Sequence, residues 1–292
     1  MASYFRNFRE RLSFIYETGE AAAIAELVFE HFTGISRNQR IKEPDAAVPE
    51  KSVHAMEMAI TELLLHRPVQ YVLQEAWFCG HRFFVNESVL VPRPETELLV
   101  NEVTRVARLR TDAQEPLRIL DIGTGSGCIA VSVKKNLTNA EVWAMDFSAA
   151  ALETAKKNAL TLETDIQFTE ADITNPQTWN HFPSFNIVVS NPPYIPHHNL
   201  PEMSQNVTAF EPHEALFVPG NDALFFYRHI VAFCREKLLP GGYLVCEIHE
   251  DYGTEVADLY RQQGLINVQT LKDDFGKQRV VTGEKNNEET SR

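Results

Sequence analysis

Short β-prone runs and helical segments alternate along the sequence after Pro116, and this alternation limits the possible folds more than any other feature. Parallel strands need a crossover connection that is usually a helix, so the alternation is typical of a parallel β-sheet with helices on both faces. The predicted strands cover residues 117–121, 141–146, 165–169, 185–190, 242–248, 268–272 and 278–282, with predicted helices at 149–160 and 223–238. The expected fold class of this part of the chain is therefore α/β.

The first part of the chain has a different pattern. Apolar residues recur at helical spacing over residues 20–32 and 53–65, and Pro44 and Pro49 interrupt the helices between them. Aromatic and β-branched residues then cluster over residues 77–91, which predicts a β-hairpin closed by the prolines at 92 and 94, and a helix is predicted at 95–109. The polar tail at 284–292 is predicted to be disordered.

A chain of 292 residues exceeds the usual size of a single domain, so two domains are expected. The pattern predicts a helical N-terminal domain at residues 1–74, a β-hairpin linker at 75–94 and a second domain at 95–292. Each of the two domains is long enough to bury a hydrophobic core of its own.

Charge and composition argue against several classes of function. The net charge is −13 with a pI near 5.3, and we find no basic cluster in the sequence, so direct binding to a nucleic acid is not expected. Four cysteines lack a short paired spacing, so neither a metal site nor a disulfide framework is predicted. No apolar stretch is long enough to span a membrane, and residues 1–20 lack the apolar block of a signal peptide, so we expect a cytoplasmic protein.

A glycine-rich turn follows the first predicted strand of the α/β region. Its glycines have the spacing G-x-G-x-G, whereas dinucleotide sites typically have G-x-G-x-x-G, and residue 128 is a cysteine. A preceding acid and a tighter turn suit the amino-acid end of S-adenosylmethionine, which has an ammonium and a carboxylate but no phosphate. The alternative is a tight strand-to-helix connection that binds nothing. The predicted cofactor-binding residues of the turn are Asp121, Gly123, Thr124, Gly125, Ser126 and Gly127.

Acidic residues also follow the next two predicted strands. Asp146 stands where a carboxylate can accept hydrogen bonds from both ribose hydroxyls of a nucleoside. Asp172 is placed to meet the adenine amino group, with Ile173 packing beside it. Either acid could instead be a helix cap or a solvated loop residue. Their order after successive strands favours a cofactor site.

The tetrapeptide Asn191-Pro192-Pro193-Tyr194 follows the apolar run at 185–190. An amide nitrogen is a weak nucleophile because its lone pair is delocalised, so its methylation depends on positioning more than on a base. The Asn191 side-chain oxygen and a backbone carbonyl can each accept one hydrogen of a planar NH2 group. Tyr194 offers an aromatic face to a flat substrate or to a sulfonium. The alternative is a simple strand-ending turn.

Several segments carry a resemblance to a known family. They are residues 68–73 (PVQYVL), 89–97 (VLVPRPETE), the glycine turn, 191–196 (NPPYIP) and 210–212 (FEP). Over about residues 68–283 the chain resembles the release factor glutamine methyltransferases, which are class I S-adenosylmethionine-dependent enzymes. Residues 1–70 match that family only in their general helical character. The chain departs from the family pattern at 219–224 (PGNDAL) and at His249, where the family has glycine.

The resemblance implies a Rossmann-like fold with a seven-stranded, mostly parallel sheet and a small all-helical N-terminal domain that helps to dock a class I release factor. The implied reaction is methylation of the glutamine side chain in a Gly-Gly-Gln motif. Asn191, Pro192 and Tyr194 would be catalytic, Pro193 would complete the substrate site, and Asn191 would also border the cofactor. We expect a monomer.

Two alternatives remain at this stage. DNA adenine amino-methyltransferases share the Asn-Pro-Pro-Tyr tetrapeptide, so the substrate could be adenine in DNA. The chain could also be a non-catalytic module that binds S-adenosylmethionine, although an intact Asn191 and glycine turn argue against that.

Overall fold

The computed structural model describes residues 1–109 and 116–287, and these residues form two compact units. The first unit contains residues 1–75 together with 204–210, and the second contains residues 76–203 and the chain from 211 onward. The short segment 204–210 has no sequence signal that would assign it to the first unit. Within the described residues, no helix combines the length and the apolar composition that crossing a bilayer requires.

The first unit is helical. Its helices are α1 (Ala2–Leu12), α2 (Thr18–Thr33), α3 (Arg37–Lys42), α4 (Glu50–Leu63) and α5 (Val69–Leu73), and α9 (Gln205–Phe210) groups with them. The helix α2 ends at Gly34, which has a left-handed φ of 69°, and α3 begins with a capping box between Ser36 and Gln39. The predicted helices at 20–32 and 53–65 are confirmed as α2 and α4, and their apolar faces meet around Phe29 and Ile60.

The second unit begins with the β-hairpin of β1 (Ala76–Phe78) and β2 (His81–Phe83). The two turn residues, Cys79 and Gly80, both have positive φ, as the tight turns of two-residue hairpins require. Phe78 and Phe83 pack into the core of this unit against α6 (Glu97–Arg108). The hairpin is shorter than predicted, because residues 84–93 lie in no strand.

Seven strands among the described residues form one sheet in the second unit. They are β3 (Arg118–Ile122), β4 (Glu141–Asp146), β5 (Ile166–Glu170), β6 (Phe185–Ser190), β7 (Leu238–Glu247), β8 (Leu265–Lys272) and β9 (Gln278–Lys285). Their order is β5-β4-β3-β6-β7-β9-β8, in which β9 runs antiparallel to both of its neighbours and the other pairs are parallel. The predicted seven-stranded, mostly parallel sheet is confirmed.

Helices cover both faces of this sheet. They are α6, α7 (Cys128–Asn136), α8 (Ala149–Thr161), α10 (His213–Leu216), α11 (Phe225–Lys237) and α12 (Gly253–Gln262). Successive residues of β6 point to opposite faces, so Ile187 and Val189 join the core under α6 and α7, while Val188 joins the core under α11 and α12. Three short 3-10 helices, Pro94–Thr96, Pro176–His181 and His197–Glu202, complete the connections.

The structure corrects several predicted boundaries, including the start of β8, which lies at Leu265, three residues before the predicted one. The strand β7 begins at Leu238, four residues before the predicted start, because Leu238 already pairs with Phe185 of β6 and the Pro-Gly-Gly sequence lies in the irregularity before the next pair, Ile187 and Tyr243. The prediction of disorder from residue 284 is wrong for Glu284 and Lys285, which lie in β9. The Nζ atom of Lys285 donates to the carbonyl of Leu238 at 2.7 Å, which fixes this end of the strand. Residues 288–292 lie outside the described part of the chain.

Candidate active site

A cavity of about 760 Å³ lies in the second unit at the carboxyl ends of the parallel strands. Its position is the usual one for ligands in open α/β sheets, at the point where the strand order reverses between β3 and β6. Seven of the predicted cofactor residues line it, namely Gly123, Thr124, Gly125, Ser126, Asp146, Asp172 and Asn191. Asn191, Pro192 and Pro193 line it from the end of β6.

The glycine turn connects β3 to α7 in a conformation that demands glycine. Gly123, Gly125 and Gly127 have φ values of 71°, 54° and 79°, in the left-handed region that other residues rarely adopt. A Cβ atom at Gly127 would lie 3.1 Å from the Cβ of Ala155 on α8, whereas nothing lies within 4 Å of a Cβ built on Gly123 or Gly125. The first two glycines therefore keep space open at the cavity wall, and Gly127 allows close packing of two helices.

Asp121 lies beneath this turn and does not line the cavity. Its Oδ2 atom accepts from the Thr124 hydroxyl at 2.7 Å and from the backbone N–H of Ala130 at 3.2 Å. The side chain is fully buried, and burial raises its pKa to about 7. Its Oδ1 atom has no hydrogen-bond partner among the described residues. Asp121 supports the turn in this structure, and its contact with a cofactor ammonium stays a prediction. Gly127 is likewise absent from the cavity wall.

Asp146, at the end of β4, lines the cavity and holds two loops in place. Its Oδ2 atom accepts from the N–H of Gly125 at 2.9 Å, and its Oδ1 atom accepts from the N–H of Ser148 at 3.0 Å. The side chain is buried, and burial raises its pKa against the effect of these backbone hydrogen bonds. The carboxylate thus ties the glycine turn to the start of α8.

Asp172 follows β5 and also lines the cavity. Its Oδ1 atom accepts from both the N–H and the hydroxyl of Thr174 at 2.8 Å, which forms a local turn. Ile173 points the other way and packs in the hydrophobic core, so it does not line the cavity. The structure therefore brings Asp172 to the predicted site and leaves Ile173 outside it.

Asn191 stands beside the glycine turn because β6 pairs with β3. Ser190, at the end of β6, donates its hydroxyl to the carbonyl of Ile122 at 2.8 Å, which joins the ends of the two strands. The Nδ2 atom of Asn191 donates to the Thr96 hydroxyl at 3.4 Å. Beyond the prolines, the N–H of Ile195 donates to the carbonyl of Leu216 at 3.1 Å, which fixes the loop at its far end.

Tyr194 does not line the cavity. Its hydroxyl donates to Glu247 Oε1 at 3.4 Å, and its ring meets the ring of His249 edge-on at 5.9 Å. Burial raises the pKa of Tyr194, and the nearby Glu247 raises it further. His249, which departs from the family pattern, packs against that ring, and the substrate contact of Tyr194 stays a prediction. The aromatic residues that do line the cavity are Phe147, Phe217, Phe225 and Phe226.

Sequence reasoning missed two polar contacts of residues that line the cavity. The first is the contact with Thr96, which lines the cavity and accepts from Asn191 Nδ2 at 3.4 Å. The second is the ion pair between Arg93 and Glu211 at 2.5 Å, in which Glu211 also accepts from the N–H of Val91 at 3.4 Å. Both contacts use residues of the segments that carried the family resemblance. The residue types gave a signal there, but the pairings could not be read from the sequence.

Comparison with known proteins adds to this geometry. The Methyltransferase small domain family matches residues 96–210, and the PrmC N-terminal domain family matches residues 4–73. The chain is 39% identical to the release factor glutamine methyltransferase of Flavobacterium psychrophilum, over 96% of this chain and 97% of that protein. It is 38% identical to the enzyme of the same name from Bacteroides thetaiotaomicron, over 94% and 96% of the two chains.

The chain belongs to the release factor glutamine methyltransferase family. This confirms the resemblance that the sequence carried and extends it to residues 4–73, which sequence analysis matched only in general helical character. The fold also resembles the catalytic domain of hMettl16, solved in complex with a MAT2A 3′UTR hairpin. That similarity has a TM-score of 0.55 at 15% identity and covers 81% of this chain and 83% of that one, so it shows the fold alone.

Proposed function

We propose that this family member methylates the side-chain amide nitrogen of the glutamine in the Gly-Gly-Gln motif of a class I peptide chain release factor, with S-adenosylmethionine as the methyl donor. One observation carries the proposal. Asn191 lines the cavity beside the glycine turn, and its Nδ2 atom is engaged by Thr96, so that Oδ1 remains to accept a hydrogen from a bound carboxamide. The names of the relatives support the substrate.

The chemistry of a carboxamide explains why such a site needs acceptors. Its NH2 group carries two hydrogens in one plane, and two oxygen acceptors in that plane fix the direction of the nitrogen lone pair. Asn191 Oδ1 and the backbone carbonyl of Pro192 are the two acceptors we assign. Pro193 has no N–H and a fixed φ, so it helps to keep that carbonyl out of secondary structure. The described residues thus orient the nitrogen, and its proton leaves to solvent after the methyl group is transferred.

The cavity residues fit S-adenosylmethionine, which supplies an electrophilic methyl group when bound. Gly123 and Gly125 leave open space where a Cβ atom would stand, so the backbone permits close approach. Asp146 would accept from the ribose hydroxyls, and Asp172 would meet the adenine amino group. Phe147 follows Asp146, lines the cavity and is 56% exposed, so it offers an apolar surface beside the nucleoside. In this assignment Asp121 supports the turn from below.

The net charge of −13 is compatible with a protein substrate and disfavours a nucleic acid, so we propose no direct contact with DNA or RNA. The helical first unit would help to dock the release factor. We further propose that the protein acts as a monomer in the cytoplasm, where release factors work.

The experiment that tests the function separates the substrates. Purified protein is incubated with methyl-labelled S-adenosylmethionine and, in parallel, with a recombinant bacterial class I release factor or with double-stranded DNA. We expect label in the release factor, and peptide mass spectrometry should locate it on the glutamine of Gly-Gly-Gln. A release factor with that glutamine changed to asparagine is the matched control. Label in DNA adenine, or binding of the cofactor without transfer to either substrate, would refute the proposal.

A further inference from the structure

We propose that Asn158 and Thr154 on α8 are positioning residues for the cofactor: their buried side chains hold two walls of the cavity, the glycine turn and the segment 84–90, at a fixed spacing. Residues 84–90, here called the strap, lie in no strand and follow the hairpin, and residues 87–90 line the cavity. The inference deepens the proposed function and rests on its assignment of S-adenosylmethionine to this cavity. Asn158 and Thr154 are not among the described residues that line the cavity, so they act through the groups that they bind.

The carboxamide of Asn158 makes three short hydrogen bonds to backbone groups. Its Oδ1 atom accepts from the N–H of Phe84 at 2.7 Å, and its Nδ2 atom donates to the carbonyl of Phe84 at 2.9 Å. Nδ2 also donates to the carbonyl of Ser126, in the glycine turn, at 2.8 Å. Asn158 is 1% exposed, so water does not compete for these groups. One side chain thus joins the start of the strap to the turn and uses both of its hydrogens and its oxygen to do so.

The Ser126 carbonyl depends on Asn158 because the turn displaces the first hydrogen bond of α7. In a regular α-helix, the N–H of Ala130 would donate to the carbonyl of Ser126, four residues earlier. Here that N–H donates to Asp121 Oδ2 at 3.2 Å, and Asn158 takes the carbonyl. Two buried side chains therefore hold Ser126, a residue of the cavity wall, outside the helix.

The strap follows one face of α8. Ala150, Thr154 and Asn158 recur at intervals of four residues, so they lie on the same side of the helix. Phe84 is bound at Asn158, and four residues later the Ser88 hydroxyl lies 3.2 Å from the Thr154 hydroxyl and 3.4 Å from the carbonyl of Ala150. Thr154 is 4% exposed, and Ser88 lines the cavity. These side chains replace the strand pairing that the strap lacks.

The contacts predict which property of the enzyme depends on α8. Loss of the Asn158 amide would free the strap and the Ser126 carbonyl together, so the cavity would no longer be preformed for the cofactor. The contact between Asn191 and Thr96 involves neither α8 nor the strap. We therefore expect weaker cofactor binding and an unchanged chemical step once the cofactor is bound.

The first test measures S-adenosylmethionine binding by calorimetry in Asn158→Ala and in a matched control, Asn186→Ala. Asn186 also binds backbone through its amide, since its Oδ1 accepts from the N–H of Arg118 at 2.8 Å, but it lies at the amino-terminal end of β6, away from the cavity. We expect the Kd to rise roughly 10-fold in Asn158→Ala and to stay within about twofold of wild type in Asn186→Ala. An unchanged Kd in Asn158→Ala would overturn the inference.

Steady-state kinetics with a recombinant class I release factor separate positioning from mere stabilisation. Loss of folded protein would lower kcat and leave the KM for S-adenosylmethionine unchanged. The positioning role predicts the opposite in Asn158→Ala, namely a KM for S-adenosylmethionine that rises roughly 10-fold, with kcat and the KM for the release factor within about twofold of wild type. A lower kcat at an unchanged KM for S-adenosylmethionine would overturn the inference.

Thr154 provides a milder test that does not depend on the folding of Asn158→Ala. Thr154→Val keeps the shape and removes the hydroxyl beside Ser88, whereas Thr154→Ser keeps the hydroxyl. The Kd for S-adenosylmethionine should rise roughly threefold in Thr154→Val and return to the wild-type value in Thr154→Ser. Equal affinity of Thr154→Val and wild type would contradict the support of the strap by α8. A wild type that does not bind S-adenosylmethionine would refute the cofactor assignment of the proposed function, while unchanged binding in the α8 variants would refute this inference alone.

Discussion

The side-chain amide of Asn191 donates to the hydroxyl of Thr96 at 3.4 Å, although 95 positions separate the two residues in the chain. The contact joins the end of β6 to the start of α6, next to the glycine turn that follows β3. It engages the nitrogen of the amide and so leaves the oxygen available as an acceptor. Two segments that stand out separately in the sequence, 92–97 and 191–196, therefore form one side of a single site.

Asn191→Ala should abolish methyl transfer to a release factor, because the glutamine amide loses its side-chain acceptor. We expect at least a 100-fold loss in kcat/KM, which is on the order of 3 kcal/mol of transition-state stabilisation. Cofactor binding measured by calorimetry should remain. Asn101→Ala, at an exposed position of α6, is the matched control and should behave as wild type. Full activity in Asn191→Ala would reject the role of this residue.

Asp146→Asn should weaken the binding of S-adenosylmethionine. The carboxylate accepts from the backbone at Gly125 and Ser148, and an amide in its place turns one acceptor into a donor that faces an N–H group. We expect the Kd to rise roughly 10- to 100-fold, since 1.4 kcal/mol corresponds to tenfold. Isothermal titration gives the value directly. The exposed Asp165→Asn provides the comparison, and an equal Kd in both variants would contradict the role of Asp146.

Gly127→Ala should destabilise the second unit more than Gly220→Ala does. Both glycines have left-handed φ values, 79° and 66°, so both variants carry backbone strain of about 1 to 2 kcal/mol. A Cβ atom at Gly127 would also meet Ala155 at 3.1 Å, while nothing lies within 4 Å at Gly220. This contact should lower the free energy of unfolding of Gly127→Ala by about 1 to 3 kcal/mol more than that of Gly220→Ala. Chemical denaturation of the two variants tests this, and equal losses would show that helix packing does not constrain Gly127.

Arg93→Met should reduce the free energy of unfolding by roughly 3 kcal/mol, because it leaves the Glu211 carboxyl buried without its cation. The Glu211 side chain is 1% exposed, and Arg93 lowers a pKa that burial raises. Arg118→Met is the control, since Arg118 is equally exposed at 37% but pairs with Glu141, which is 35% exposed. That change should cost about 1 kcal/mol or less.

A second substitution in the Arg93–Glu211 ion pair tests whether the unpaired buried charge causes the loss of stability. Adding Glu211→Gln to Arg93→Met removes the buried charge and should restore most of the lost stability. If Glu211→Gln lowers the stability of the Arg93→Met variant as much as it lowers the stability of the wild type, the two residues act independently.

Glu247→Gln should make the protein more resistant to unfolding at neutral and alkaline pH. The folded-state pKa of Glu247 is raised from 4.5 to about 7, so the folded protein holds a proton that the unfolded chain has lost in this window. Wild-type stability therefore decreases as pH rises from about 4.5 to about 7, and the variant lacks this decrease. The difference in free energy of unfolding between Glu247→Gln and the wild type should grow by on the order of 3 kcal/mol as pH rises from 4.5 to about 7, and it should stay constant above that. Denaturation curves at several pH values measure it, and a difference independent of pH would contradict the burial of an ionisable carboxyl.

Much of the fold follows from local sequence. The alternation after Pro116 predicted the parallel sheet because strands buried on both faces need continuous apolar runs, and β3, β4 and β6 lie within one residue of their predicted ranges. The strand β7 was predicted to start too late because Gly241 and Gly242 usually end a strand, whereas here they lie between two residues, Leu238 and Tyr243, that both pair with β6. The hairpin was predicted too long because the apolar residues after Phe83 are buried in the core but do not pair with another strand.

The sequence by itself determined which residues could form the site, since a glycine turn, acids after successive strands and Asn-Pro-Pro-Tyr are each local patterns with a local physical cause. Tertiary structure decided which of them reach the cavity. Asp121 and Asp146 both end strands, yet one supports the turn from below and the other lines the cavity. Tyr194 turns to Glu247, and Thr96 reaches Asn191. These outcomes depend on strand order and on contacts between residues distant in the chain, which no local pattern encodes.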